Sequence, residues 1–371
     1  MNIPSHSKLA MEDALAARLR QLLEDVDWLK DWSLSRFLSR KDDGFDFRVK
    51  FRSPQGWKSD LWVQCKADPR PAHFPYAGGP RTAEQSPVLV FAAPIISPRM
   101  ANLCQEHGWS WFDLAGNYRI DVPGVLRLEC LGKEPVRGRP RPTANLGTAA
   151  AGRVIRALLA PENAGQRWTH QTLSQECQPG VSVGLVNKVA RHLRDERYVA
   201  YLPLPAEGLR LRDPIGLLRA WRNAYRFHRH ARRDYFTLLT GKRLQEALAA
   251  LDLRTGGFAA YAAFSAADFQ APHVRQPKTW LYVNPKHLAL FEQLAEAKPV
   301  DSGENLVVLL PEDEGVFFLT DGGAMGQQRM RCTNAVQTCL DLWHCGSRGE
   351  EAAEALLEHR LKPEWKARGL L

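Results

Sequence analysis

Residues 147–195 contain a run of three short amphipathic segments. The first segment repeats apolar residues at helical spacing and stops before Pro161, which cannot continue a helix. Thr169 and Ser182 are suited to cap the second and third helices, because their hydroxyls can accept from free backbone amides. Gln178-Pro179-Gly180 predicts a turn between those two helices. The pattern therefore predicts a three-helix unit with a helix-turn-helix.

Two short strands are expected directly after the third helix. Residues 198–202 and 209–211 read as strands, and the Pro and Gly residues between them favour a hairpin. Three helices followed by a hairpin is the pattern of a winged helix. On the third helix the predicted buried face consists of Val186, Val189, Ala190 and Leu193.

Basic residues are concentrated in the same part of the chain. Residues 135–235 contain 18 Lys and Arg against 7 Asp and Glu, out of totals of 50 and 41, so the remainder holds 32 against 34. The whole net charge of +9 therefore lies in the middle of the sequence. A basic region of domain size favours a module that binds a polyanion such as nucleic acid. A solvated, arginine-rich surface is the alternative.

The third helix carries groups suited to duplex DNA. Asn187 and Arg191 can bond to base edges in a major groove. Cations and hydroxyls nearby are expected to meet phosphates. These predicted phosphate contacts are Ser182, Lys188, Arg194, Arg210 and Arg212. Because winged helices also serve as protein-interaction modules, a structural or protein-binding role is the alternative.

A basic helix is predicted over residues 215–233, where arginines recur at three- or four-residue spacing and would form a stripe. This stripe would extend the phosphate footprint. Its members are Arg219, Arg222, Arg226, Arg229 and Arg233.

Residues 1–133 predict an α/β domain with a hairpin built from strands at 45–51 and 60–66. Asp46 begins one strand and Gln64-Cys65-Lys66 ends the other, which resembles the PD-(D/E)XK nuclease core. That resemblance implies Mg²⁺ or Mn²⁺ held by Asp46 and Gln64 beside Lys66, with the metal activating water.

Two features of this first domain bear on its activity. Gln64 stands where a carboxylate is commoner, so an endonuclease-like domain without activity is predicted and a metal-dependent deoxyribonuclease is the alternative. Glu24 and Asp60 are candidate further ligands without a defined spacing.

Composition shifts divide the chain into three predicted domains, and the overall class is α/β and α+β multidomain. A Pro-, Gly- and Arg-rich linker lies at 133–142, and a second boundary at Asp213-Pro214. The domains are an endonuclease-like α/β domain at 1–133, a winged helix at 145–213 and a C-terminal α/β domain at 214–371. The last is expected to contain strands at 279–283, 306–310 and 316–319 and helices at 335–344 and 350–360.

The sequence predicts a cytoplasmic protein without a resident cofactor. The apolar run at 87–96 is about half a membrane span, and the N-terminus lacks the pattern of a signal peptide. The seven cysteines are scattered and never spaced as CxxC, which indicates neither a disulfide framework nor a zinc ribbon.

A resemblance to a known family is carried by residues 147–202, 235–241, 271–275 leading into 282–283, and 334–343. These stretches resemble the AbiEi-type antitoxins of type IV toxin-antitoxin systems, and the resemblance covers roughly residues 145–360. The resemblance implies a winged helix that represses its own operon promoter, and a nucleotidyltransferase toxin that is opposed without a stable complex. Residues 111–117 look like part of an extension found in longer members.

Three hypotheses follow. The first is a sequence-specific regulator of double-stranded DNA of the antitoxin type. The second is a metal-dependent nuclease targeted by the winged helix. The third is an interaction protein whose C-terminal domain engages a toxin or another protein.

Overall fold

The computed structural model describes residues 5–37, 44–75, 87–134, 144–202, 208–320, 329–346 and 348–371. The chain forms two compact units, Met1–Arg141 and Pro142–Leu371, and both combine helices with β-sheets. The predicted α/β multidomain class is confirmed at this level. The predicted linker at 133–142 falls largely outside the described residues. The tip of the hairpin predicted at 198–211 also falls largely outside them.

The first unit is a seven-stranded sheet in which the strands follow one another in chain order. Its middle strands β3, β4 and β5 run parallel, and the remaining neighbours are antiparallel. The elements are α1 (Ser5–Glu24), β1 (Asp31–Arg36), β2 (Phe47–Arg52), β3 (Lys58–Cys65), β4 (Val88–Ala93), α2 (Pro98–Glu106), β5 (Ser110–Asp113), β6 (Tyr118–Val122) and β7 (Leu126–Cys130).

Two apolar clusters hold this sheet between its helices. Leu15 and Leu19 of α1 belong to the same cluster as Val49 and Leu61, and Met100 of α2 belongs to a second cluster. Burial of such side chains stabilises a sheet covered on both faces. The predicted β2–β3 hairpin is confirmed, whereas β1 and β7 are strands that the sequence reasoning missed.

The second unit begins with three helices and a hairpin, in the predicted order. Thr148, Thr169 and Ser182 each accept a hydrogen bond from the amide three residues later, which satisfies a donor at each helix start. The hairpin strands pair antiparallel. These elements are α3 (Ala149–Leu159), α4 (His170–Glu176), α5 (Val183–Asp195), β8 (Val199–Leu202) and β9 (Gly208–Leu211).

The rest of the second unit surrounds a five-stranded sheet of order β11-β12-β14-β10-β13, in which β12 and β14 run parallel. The last helices are continuous, because a π-helical turn, Leu357–Leu361, joins α11 to α12. The elements are α6 (Pro214–Ala224), β10 (Ala231–Phe236), α7 (Gly241–Thr255), β11 (Ala259–Tyr261), α8 (Ala263–Gln270), β12 (Thr279–Val283), α9 (Leu288–Leu294), β13 (Lys298–Pro299), β14 (Leu306–Leu310), α10 (Ala335–Leu342), α11 (Gly349–Leu356) and α12 (Lys362–Ala367).

Residues 145–213 do not form a compact unit of their own. Leu158 of α3 and Val336 of α10 belong to one buried cluster, which continues across the predicted boundary at Asp213-Pro214. Trp365 of α12 also donates from Nε1 to the carbonyl of Leu159, at 3.0 Å. The three functional domain assignments stay predictions.

Two predicted elements are wrong. The basic helix expected over 215–233 ends at Ala224, because the Tyr225 backbone is extended and turns its ring into the buried interior. The chain then enters β10, which pairs with β14. The strand expected at 316–319 is instead a 3₁₀ turn, Glu314–Phe317, because the carboxylate of Asp313 accepts from the amide of Gly315 at 2.9 Å.

Within the described ranges, no helix has the length and apolar content that a membrane crossing requires.

Candidate nucleic-acid interface

Helix α5 has one buried and one exposed face. Val186, Val189, Ala190 and Leu193 are fully buried, as their spacing predicts. They share a cluster with the apolar residues of α3 and α4. This packing fixes the orientation of α5 and directs its opposite face towards solvent.

The exposed face of α5 presents the predicted DNA contacts. Asn187, Lys188, Arg191 and Arg194 are all exposed. Among the described residues, Lys188 and Arg191 have no carboxylate within ion-pair distance. Arg194 lies 4.0 Å from the carboxylate of Asp195. The positive charge of this face is therefore available to a ligand.

A pocket of about 210 Å³ lies over this face. Asn187, Arg191 and Arg194 line it from α5, His170 lines it from the start of α4, and Tyr201 lines it from β8. The Tyr201 hydroxyl is hydrogen-bonded to His170 Nε2, and the Arg194 guanidinium lies 5.9 Å from the centroid of the Tyr201 ring. Helices α4 and α5 and the hairpin strand β8 thus converge on one polar, cationic surface.

Sequence reasoning missed His170 and Tyr201. They are 31 residues apart, and each looked like an ordinary surface residue of its own element. The predicted hairpin was the one sequence feature that could have indicated this, because a hairpin after α5 packs β8 against the helices. It could have suggested that a residue of β8 joins the site, but not which one.

The other predicted phosphate contacts beside α5 differ in their surroundings. Ser182 caps α5 by accepting from Leu185 N at 3.2 Å, so its hydroxyl hydrogen remains free to donate. Arg212 is exposed just after β9. Arg210 is half-buried, and its Nη2 donates to the carbonyl of Gly369 at 3.5 Å. Its guanidinium is therefore partly engaged by the C-terminal segment.

The five arginines of the predicted basic stripe do not form one. Arg219 and Arg222 lie on α6, Arg229 lies in a 3₁₀ turn, and Arg233 lies on β10. Arg226 is exposed between α6 and that turn. Three of the five are paired with carboxylates, and these pairs are Arg219–Glu354 at 3.8 Å, Arg222–Glu350 at 2.8 Å and Arg229–Glu312 at 2.6 Å.

The nuclease-like residues of the first unit do come together. Asp46 lies just before β2, and its Oδ2 accepts from the amide of Cys65 at 2.7 Å. Burial raises the pKa of the Asp46 carboxyl, while the Cys65 amide and the charge of Lys66 act to lower it. Gln64 donates from Nε2 to the Gly44 carbonyl at 3.1 Å. Its buried Oε1 has no partner among the described residues.

Glu12 of α1 is the acidic residue that adjoins this cluster. It is buried, its charge acts to raise the pKa of Asp46, and Arg36 lies 3.2 Å from its carboxylate. Glu24 lies twelve residues further along α1, about 18 Å away at the helical rise. Asp60 is paired with Arg48. Glu24 and Asp60, the further metal ligands suggested by the sequence, are therefore not supported, and Glu12 is the acidic residue near Asp46.

The donor set around Asp46 is small. Across the part of the chain that the structure describes, no three His, Cys, Asp or Glu residues are grouped as a metal site. Lys8 and Arg36 also flank the acids of this cluster. Asp46, Glu12 and the Gln64 amide oxygen are therefore the only groups we assign to a divalent metal in this cluster.

No family model, curated protein or solved structure matches the chain. The resemblance to the AbiEi-type antitoxins stays a prediction.

Proposed function

We propose that this protein is a sequence-specific, double-stranded DNA-binding transcriptional regulator of the antitoxin type. The observation that carries the proposal is the exposed face of α5. Asn187 and Arg191 point away from the buried cluster that holds the helix and line the same pocket. Lys188 stands beside them without an ion pair among the described residues.

The proposed docking mode places α5 in a major groove. A single helix fits that groove, where Arg can pair with guanine and Asn with adenine. Lys188, Arg194 and Arg212 would bind phosphates on either side, with the β8–β9 hairpin as the wing. Residues 145–213 are then a winged helix within the larger second unit.

The remaining assignments extend this proposal. Residues 214–371 would be an antitoxin-like α/β domain and residues 1–133 an endonuclease-like domain without activity. The protein would repress its own operon in the cytoplasm, opposite a nucleotidyltransferase toxin that it need not bind. Engagement of a toxin by residues 214–371 is the interaction alternative.

The direct test is binding to a labelled duplex from its own promoter and to a scrambled duplex, by fluorescence anisotropy across a salt series. We expect tighter binding to the promoter, with affinity that falls steeply as salt increases because counterions are released from phosphates. Equal affinity for both duplexes would reject sequence-specific binding. Absence of binding at low salt would reject the DNA proposal and favour a protein partner.

A second candidate function is metal-dependent DNA cleavage by the first unit. It is favoured by one observation, that Glu12, Asp46 and Lys66 adjoin each other beside the unpartnered Gln64 oxygen. A metal bound there would supply an activated water, and Lys66 would stabilise charge on the phosphate. This arrangement is the reason to assay nuclease activity although inactivity is our expectation.

The cleavage assay uses labelled duplex with Mg²⁺ or Mn²⁺ and the Lys66→Ala variant. The matched control is Lys50→Ala, because Lys50 is an exposed lysine on the neighbouring strand β2. Metal-dependent products that Lys66→Ala abolishes and Lys50→Ala retains would establish the nuclease. Intact DNA, or products unaffected by Lys66→Ala, would reject it.

A further inference from the structure

A buried arginine in the second unit has an unsatisfied donor. Arg156 of α3 is 3% exposed, and its Nε and Nη2 donate to Gln337 Oε1 at 3.0 and 2.7 Å. Its guanidinium packs 5.2 Å from the centroid of the Trp221 ring. Its Nη1 is buried without an acceptor among the described residues. A charged donor left unpaired in the interior is costly, so a group that supplies an acceptor there gains affinity.

A cavity of about 30 Å³ lies beside this arginine. Arg156 lines it from α3, Trp221 and Tyr225 line it from α6 and the residue after it, and exposed Arg226 lines it on the solvent side. The volume exceeds what a water molecule needs. The cavity therefore admits an oxygen of a larger group whose remaining atoms face Arg226.

The cavity also adjoins the N-terminus of α3, an eleven-residue helix. Thr148 caps this helix by accepting from Ala151 N at 3.3 Å. That bond leaves the amides of Ala149 and Ala150 without an acceptor inside the helix. Free amides and the helix dipole at such an end favour an anion.

Two acidic residues in the lining are already neutralised. Asp313 is held by Arg153, whose Nε lies 3.2 and 3.1 Å from the two carboxylate oxygens, and Glu312 is paired with Arg229 at 2.6 Å. Neither Arg153 nor Arg229 belongs to the residues that line the cavity. The donors that remain for a ligand are therefore Arg156 Nη1 and the Arg226 guanidinium.

His230, which also lines the cavity, is neutral. Its Nδ1 accepts from the amide of Glu312 at 3.2 Å, so the ring proton lies on Nε2, towards the Tyr225 hydroxyl 2.7 Å away. Burial and the charge of Arg156 lower its pKa to about 4. The ligand charge is thus balanced by arginines and helix amides, not by an imidazolium.

We propose that this cavity binds a phosphate group at its mouth. One phosphate oxygen enters the cavity and accepts from Arg156 Nη1, and the remaining oxygens lie at the entrance, between the first amide of α3 and Arg226. The phosphate comes either from inorganic phosphate or from the terminal phosphate of a nucleotide. This site is separate from the α5 face and does not depend on DNA binding.

The test is isothermal titration of the full-length protein with inorganic phosphate and, in a second arm, with adenosine monophosphate, both at constant ionic strength. We expect one saturable site per chain with a dissociation constant of about 1 mM or tighter. Tighter binding of the nucleotide would identify a nucleotide phosphate as the source, and equal or tighter binding of inorganic phosphate would identify the free ion.

Arg226→Gln is the informative variant, because Arg226 is exposed and its replacement leaves the interior intact. It should weaken phosphate binding about tenfold, the loss of one charge-assisted hydrogen bond. Arg219→Gln is the matched control, since Arg219 is an exposed arginine on α6 outside the cavity lining. It should bind phosphate as the parent does.

A second variant, Arg156→Lys, keeps the charge but removes the planar fork. It should bind phosphate more weakly than Arg226→Gln, with folding checked by circular dichroism. If this variant does not fold, the phosphate affinities of Arg226→Gln and Arg219→Gln are sufficient to test the proposed site. Failure of both ligands to bind the parent, or equal weakening by the two exposed-arginine variants, would overturn the proposal.

Discussion

The second unit contains two groups of arginines that look alike in the sequence and differ in the fold. On α5, Arg191 is exposed and unpaired within the described part of the chain, and Arg194 faces the pocket with Asn187. After Asp213, by contrast, Arg222 and Arg229 are paired with carboxylates more than 80 residues away in the sequence. Both regions are therefore dense in positive charge, but in the described part of the chain Arg191 is left unpaired whereas Arg222 and Arg229 are not.

Acidic residues far away in the sequence determine which of these arginines remain unpaired. Arg222 meets Glu350 on α11 and Arg229 meets Glu312 after β14. Both acids lie in the portion of the chain that holds a slight excess of negative charge. A balance counted over residues 135–235 cannot include them, so it overstates the basic surface.

The largest expected effect is on the free energy of unfolding. It comes from Asp341, a buried residue of α10 that accepts a hydrogen bond from Tyr225 just after α6. Burial raises the pKa of the Asp341 carboxyl to about 7, against hydrogen bonds from Gln337, Tyr282 and Tyr225 that lower it. The folded chain thus keeps this proton over a pH range in which the unfolded chain releases it. The contribution of Asp341 to stability therefore falls as pH rises from about 4 to about 7.

The Asp341→Asn variant isolates this contribution. Its free energy of unfolding, relative to that of the parent, should increase by about 1.4 kcal/mol for each pH unit between pH 4 and 7 and then level off. Urea unfolding at a series of pH values measures this difference. A constant difference across that range would show that Asp341 ionises as it does in the unfolded chain.

Gly184 lies in the first turn of α5 and can test whether that turn approaches DNA. A Cβ added there would meet no atom within 4 Å, so Gly184→Ala fits the free protein and should stabilise the helix by up to about 1 kcal/mol. If the first turn of α5 approaches the DNA backbone closely, the same methyl group should weaken DNA binding roughly tenfold. Thermal unfolding and anisotropy measure the two effects. A variant that is more stable and binds DNA unchanged would place this turn away from DNA.

Lys188→Ala should have a smaller and more uniform effect. Removal of one phosphate contact should weaken binding to promoter and scrambled duplexes equally, and should reduce the slope of log affinity against log salt by about one. The salt series on both duplexes measures it. An unchanged slope would mean that Lys188 does not contact phosphate.

Arg229→Ala should have the smallest effect. Arg229 and Glu312 form an ion pair at the surface. Because exposed ion pairs contribute little, its loss should change the free energy of unfolding by less than about 1 kcal/mol. DNA affinity and salt slope should remain those of the parent. A loss of slope comparable to that of Lys188→Ala would show that Arg229 contacts phosphate despite its pairing with Glu312.

Local pattern was sufficient for α3, α4, α5 and the following hairpin. Their caps, turns and apolar spacing lie within a few residues of each element, so the sequence contains the information directly. The strands at 279–283 and 306–310 are likewise confirmed.

The predictions that were wrong or incomplete depend on contacts between residues far apart in the sequence. The arginine spacing through residue 233 is helical, but Tyr225 leaves the helix for an interior formed with α10, over 100 residues later. Glu12 joins Asp46 because α1 packs on the sheet, and the α5 pocket gains Tyr201 because the hairpin folds back. Such contacts are set by tertiary packing, which a local pattern does not record.

The most direct test of α5 as the reading helix is the specificity of Arg191→Ala, measured as the ratio of dissociation constants for scrambled and promoter duplexes. If Arg191 reads a base, its removal should cost about 1–3 kcal/mol on the promoter and much less on the scrambled duplex, so the ratio should fall. Arg229→Ala should keep the parent ratio. A ratio unchanged by Arg191→Ala would contradict the assignment of α5 as the reading helix.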